Sequence, residues 1–163
     1  MEFIPEEKFA TKRVLKEQYV SIGDRIIVLG YPLNLVEGGH CIPIARGGII
    51  SSEPGLNFKG LPMILIDSKM IRGSSGSPVF LTFKPYRFVS KYTISTTEIT
   101  ESTLLGIVSG MVPDWRIIIE KTITFRKPTY IEITNPADMG VVFRVETIIE
   151  TIDQWKNIQR YIE

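Results

Sequence analysis

The chain has 163 residues, 44% of them hydrophobic and 23% charged, with a formal net charge of +1. This is an ordinary soluble composition of single-domain length, long enough to bury a real core. Near-neutral charge gives no reason to expect nucleic acid or an anionic membrane as partner. The apolar runs are short and broken by charge, so no membrane span is expected.

The opening stretch from Met1 to Lys8 is acidic and lacks an apolar h-region, so no secretory signal is expected. A single cysteine, Cys41, excludes an internal disulfide and fits a reducing compartment, which points to a cytoplasmic location. Residues 5 to 20 mix Pro5, Glu6 and Glu7 with a charged, helix-compatible run. They read as a short helix or lead-in, with Phe9, Val14 and Leu15 available to rest on a core. Ile26 to Leu29 is a continuous β-branched and apolar run bounded by Gly23-Asp24 and Gly30-Tyr31-Pro32, the pattern of a buried strand. Residues 33 to 41 form a loop. Ile42 to Ser51 is a second strand interrupted at Gly47-Gly48, and Met63 to Asp67 a third.

The third strand leads into Gly73-Ser74-Ser75-Gly76-Ser77-Pro78, which runs into a fourth strand from Val79 to Phe83. Two glycines flank this turn and can take backbone angles closed to other residues, which lets the main chain approach a ligand closely. Pro78 fixes an extended exit. A loop of this kind can hold the Ser75 hydroxyl outward while neighbouring N–H groups point into a common concavity, the pairing of nucleophile and donors that acyl transfer requires. Residues 84 to 102 are polar and read as a long hairpin excursion. Leu104 to Ser109 returns to the core, and Trp115 to Ile133 reads as an inserted hairpin. The last segment changes period: Ile148, Ile152, Trp155 and Ile162 share one face of an amphipathic helix expected over about 146–162. The fold expected is all-β, a six-stranded antiparallel barrel with a C-terminal α-helix.

The serine loop resembles the nucleophile loop of trypsin-like serine peptidases, the chymotrypsin-fold double barrels. Other segments extend the likeness to the bacterial and archaeal branch. Gly23-Asp24-Arg25-Ile26-Ile27-Val28-Leu29-Gly30-Tyr31-Pro32 is similar to the "GD-x-V-x-x-x-GYP" strand that opens the second barrel, and Ala45-Arg46-Gly47-Gly48-Ile49-Ile50-Ser51-Ser52 to a "G-x-I-S" strand. Leu104 to Gly110 resembles the strand that holds the substrate backbone, and Met139 to Phe143 the strand before the C-terminal helix. The segments occur in family order from about residue 21 to the end. The resemblance implies the second, nucleophile-bearing barrel over 21–163, with residues 1–20 a lead-in or linker from a missing first barrel.

Carried over residue by residue, the resemblance makes Ser75 the nucleophile and the backbone N–H groups of Gly73 and Ser75 the oxyanion hole. Ser109 and Gly110 would pair with an extended peptide or protein substrate as an added strand. Lys69, Met70 and Arg72 before the loop would wall the specificity pocket, together with Ser109 to Met111. Lys69 and Met70 there point to a pocket not built for a basic side chain. Ser77 stands where glycine is commoner.

The family's base and its orienting carboxylate come from the first barrel, in "T-A-x-H" and "D-[IV]-A" segments, and neither motif occurs in this chain. The one histidine, His40, lies in a Glu-Gly-Gly-His-Cys loop on a connection that does not supply the base, so it reads as a surface-loop residue. Cys41 beside it points to the opposite face of an extended segment, and two neighbours make no metal site without further ligands. No cofactor is expected. The expectation is a serine endopeptidase domain lacking the His and Asp of its triad, nearly inert alone. The alternative is a catalytically silent peptide- or protein-binding module on the same fold. A first barrel, encoded in the same or a separate chain, or self-association would cover the apolar face left by a lone half.

Overall fold

The computed structural model describes residues 3–34, 42–82, 87–90, 93–95, 103–114, 118–121, 129–132 and 135–160; His40, Cys41 and Ile162 lie outside them. A 3₁₀ turn at Glu6–Lys8 precedes a short helix α1, Lys12–Glu17. Leu15 and Phe9 of this lead-in are buried, and Val14 is half-buried. The barrel begins with β1, Arg25–Gly30, β2, Ile44–Ile50, and β3, Met63–Asp67. It continues through β4, Pro78–Leu81, which the serine loop precedes. A two-stranded excursion pairs β5, Arg87–Ser90, with β6, Thr93–Ser95. Next comes β7, Thr103–Asp114, then a second excursion of β8, Ile118–Lys121, with β9, Thr129–Glu132. Strand β10, Asn135–Arg144, closes the barrel and passes directly into helix α2, Val145–Arg160.

The six long-range strands form a closed barrel in the order β1-β2-β3-β10-β7-β4, all pairs antiparallel. The fold is therefore the expected all-β barrel with one C-terminal helix. Two meanders, β1-β2-β3 and β4-β7-β10, are joined along the β1–β4 and β3–β10 seams. Closure leaves no unpaired sheet edge along the strands that pair on both sides.

Alternation decides which side chains fill the interior. Ile26 and Val28 of β1, Ile64 and Ile66 of β3, Val79 of β4, Val108 of β7 and Val142 of β10 are buried and belong to one cluster with Leu15, Ile50 and Leu105. Burying such a side chain fully contributes roughly 1.5–3 kcal/mol each. A second, smaller cluster joins Phe9, Leu104 and Val145 to the half-buried Phe80, Ile148 and Ile149, and seats the first turn of α2 on the barrel.

Strand β2 departs from the expected interruption at Gly47-Gly48. Ile27 pairs with Gly47 and Ile26 with Gly48, so the strand runs through both glycines. The reason is crowding. A Cβ at Gly48 would stand 2.5 Å from the Asp67 carbonyl oxygen of the neighbouring strand, so glycine permits the close approach rather than breaking the ladder. Strand β7 runs longer than expected because Pro113 and Asp114 pair with Pro136 and Asn135 of β10.

Arg144, at the end of β10, is 2% exposed. Its Nη1 donates to the carbonyls of Pro54 (3.1 Å) and Leu56 (3.3 Å), its Nη2 to Asn57 Oδ1, and its Nε stands 3.7 Å from Glu146 Oε2. The other carboxylate oxygen of Glu146 accepts from the Lys12 backbone N–H at 3.1 Å. One side chain thus ties the loop after β2 to the start of α2 and, through Glu146, to α1. None of the described helices is long and apolar enough to cross a membrane.

Candidate active site

The serine loop is built by the interlock of two glycine turns. Gly73 and Gly76 take left-handed φ values of +87° and +80°, a region that side chains with a Cβ rarely adopt. A Cβ at Gly73 would lie 2.6 Å from the Tyr31 carbonyl oxygen, and the Leu33 N–H donates to the Arg72 carbonyl at 2.8 Å. A Cβ at Gly30 would meet the Ser77 hydroxyl at 2.1 Å. The Gly30-Tyr31-Pro32 turn after β1 is therefore a template for the loop before β4.

Within the loop the three serines have different fates. Ser77 is buried, and its N–H donates to the Ser74 carbonyl at 3.2 Å. Ser74 is buried too, and its hydroxyl accepts from the Ile71 N–H at 3.2 Å and from Arg46 Nη2 at 2.8 Å. Ser75 alone of the three is exposed, and its hydroxyl donates to the Ser109 carbonyl at 3.2 Å. The Ser74 N–H is satisfied by the Ile71 carbonyl, and the Gly76 N–H by the Val108 carbonyl at 2.8 Å. The N–H groups of Gly73 and Ser75 on either side of Ser74 donate no hydrogen bond among the described residues. Gly73 and Ser75 are both exposed, so these two donors are open to solvent or to a group that accepts hydrogen bonds.

The strand facing Ser75 is open at this point. Pairing of β4 with β7 reaches Pro78 and Ile107, and the Val108 N–H is taken by the Ser77 carbonyl. On the other side of β7 a register shift between Val141 and Val142 leaves Ser109 opposite no residue of β10. Ser109 is exposed and Gly110 half-buried. Beyond Val108, then, β7 has a barrel neighbour on one side only among the described residues, which is the geometry that admits an added strand.

Of the other residues expected to wall a pocket, Lys69 and Arg72 are exposed. Met70 is 1% exposed, in the main core and against Gly140, so its side chain does not line a surface pocket.

No protein-family model, curated protein or solved structure matches the chain.

Arg46 of β2 is a site residue that sequence reasoning missed. Its Nη1 donates to the Lys69 carbonyl and its Nη2 to Ser74, so one guanidinium spans both ends of the segment leading to Ser75. Its Nε is buried with no acceptor among the described residues, and burial holds the guanidinium below its ordinary pKa. Arg46 stands 28 residues from Ser74 in sequence, so only the barrel brings them together. Alongside, a groove of about 310 Å³ between β7, β10 and α2 is lined by Ile107, Phe143, Ile148 and Ile152 and reaches Ser109. No group of three or more His, Cys, Asp or Glu side chains able to hold a metal occurs among the described residues.

Proposed function

We propose that this chain is the nucleophile half of a trypsin-like serine endopeptidase, acting through an acyl-enzyme at Ser75 once a base is supplied. The observation that carries the reading is the exposed Ser75 hydroxyl at the open edge of β7, on a loop whose Gly73 and Ser75 N–H groups donate no hydrogen bond among the described residues. In this reading an extended peptide adds to β7 at Ser109 and Gly110, and its N–H competes with the Ser75 hydroxyl for the Ser109 carbonyl. The substrate carbonyl then faces the Gly73 and Ser75 N–H groups, where negative charge develops. Attack by Oγ on that carbonyl carbon passes the hydroxyl proton to the base and breaks the C–N bond after protonation of the leaving amine.

The hydroxyl's partner here is a carbonyl oxygen, which orients it but cannot take its proton. That observation favours a second reading, a silent peptide-binding module. The exposed Ile152, Trp155 and Ile158 give α2 an apolar face that supports a further unit seated against it, either a first barrel or a second copy.

A fluorophosphonate probe, applied with the base-supplying first barrel present, separates the readings. Labelling at Ser75, located by peptide mass spectrometry and lost in Ser75→Ala, is the result expected of the peptidase. Peptide binding without labelling supports the silent module. Absence of both contradicts both readings.

A further inference from the structure

We infer that the peptide taken at the Ser75 site carries an acidic side chain, held by Lys69 and Arg72. This rests on the peptide-binding reading above and adds the substrate class to it.

Charge is distributed unevenly around the loop. The chain as a whole is nearly balanced, with 19 basic and 18 acidic residues. Between Ser68 and Thr82, however, there are two cations and no carboxylate. Arg46 brings a third cation to the same segment from β2. Its two anchoring acceptors, the Lys69 carbonyl and the Ser74 hydroxyl, are neutral. Neither Lys69, Arg72 nor Arg46 has a carboxylate within ion-pair distance among the described residues. Asp67, the nearest acid in sequence, forms no ion pair with any of them.

Cations without a carboxylate partner among the described residues, on the loop that carries the Gly73 and Ser75 N–H groups, produce a positive local potential. Arg46 sharpens it: burial disfavours its charge, and no anion among the described residues offsets that cost. An incoming carboxylate supplies the missing counter-charge, a neutral amide does not, and a lysine adds a like charge. Charge-assisted hydrogen bonds to Lys69 and Arg72, both exposed at the surface, would hold it. Two exposed pairs of this kind are worth a discrimination of about five- to tenfold between Glu and its isostere Gln.

The test titrates the full chain with N-acetylated tetrapeptide amides Ala-Ala-Ala-X, where X is Glu, Gln or Lys, followed by the amide resonances of Gly73, Ser75 and Ser109. The expected result is tightest binding for Glu, by about five- to tenfold over Gln and more over Lys. The advantage should shrink in 0.5 M salt, where screening shortens to a few ångströms. It should vanish in Lys69→Gln/Arg72→Gln and persist in Lys69→Arg/Arg72→Lys, both made at exposed positions that leave the core intact. Equal binding of Glu and Gln with those resonances shifting overturns the acidic preference and leaves peptide binding standing. A Glu advantage that survives the Gln variants also overturns it, since Lys69 and Arg72 would not be its source. Absence of binding by all three peptides overturns the inference and the peptide-binding reading together.

Discussion

Replacing Arg144 with alanine is expected to lower stability by about 3–5 kcal/mol, the cost of breaking a buried charged network by removing one partner. The side chain is 2% exposed, donates to three acceptors within residues 54–57 and stands 3.7 Å from Glu146, so it joins two separate stretches of chain. Without it the carbonyls of Pro54 and Leu56 lose the Arg144 donor, and Glu146 Oε2, already buried without a hydrogen bond among the described residues, loses the cation 3.7 Å away. For a chain of this length the melting temperature should fall by roughly ten degrees, read by calorimetry or circular dichroism. The pair Arg13–Glu17 provides the internal contrast. It has the same 3.7 Å separation, but its side chains are 82% and 63% exposed. Arg13→Ala should therefore change stability by no more than about 0.5 kcal/mol. Equal effects of the two substitutions would show that Arg144 is not the tie between loop and helix described above.

Gly73→Ala is expected to damage the candidate site far more than the fold. The left-handed φ of +87° costs an alanine about 1–2 kcal/mol, and the new methyl would lie 2.6 Å from the Tyr31 carbonyl oxygen. The backbone must shift, and the N–H groups on either side of Ser74 shift with it. If those donors stabilise an oxyanion, Ser75 labelling by a fluorophosphonate with the base-bearing barrel present should slow by about 10²–10³, the usual effect of losing one such donor. Gly76→Ala is the informative comparison. Its φ is +80°, yet a Cβ there meets nothing within 4 Å. It should cost similar backbone strain without driving the loop off Tyr31. Labelling rates that fall equally in the two variants would mean that strain alone, rather than displaced donors, is responsible.

What the sequence discloses of this fold follows from where the physical signal lies. Strands β1 and β3 are legible because their apolar runs sit between turn residues, and β4 because Pro78 punctuates its entry. Gly47-Gly48 misleads, because a glycine that breaks a strand and one that lets two strands approach look alike in sequence. Only the Asp67 carbonyl across the seam distinguishes them. The period of α2 is legible, but what covers its apolar face is not. Val145 is buried and Ile148 half-buried, while Ile152 and Trp155 are 40% and 60% exposed. Periodicity specifies a face without specifying its neighbour.

The serine loop is legible for its glycines, whose spacing reflects local backbone demands. Arg46 is not, since its task arises from a contact across the barrel. Met70 reads as a pocket residue from its place before Ser75, yet its side chain turns into the interior, where Gly140 leaves room for it. His40 and Cys41 lie outside the described residues.

The central claim is that the Ser75 hydroxyl and the Gly73 and Ser75 N–H groups act on one and the same acceptor. A peptidyl boronic acid tests this most directly, because its boron takes the serine oxygen and becomes tetrahedral while the hydroxyl proton is released to buffer, so no base in the chain has to turn over. The account predicts a tetrahedral boron signal on mixing with the full chain. Large shifts of the Gly73 and Ser75 amide protons should accompany it, and both should vanish in Ser75→Ala. A boronate that fails to become tetrahedral, or one bound just as well by Ser75→Ala with those amides unmoved, would contradict it.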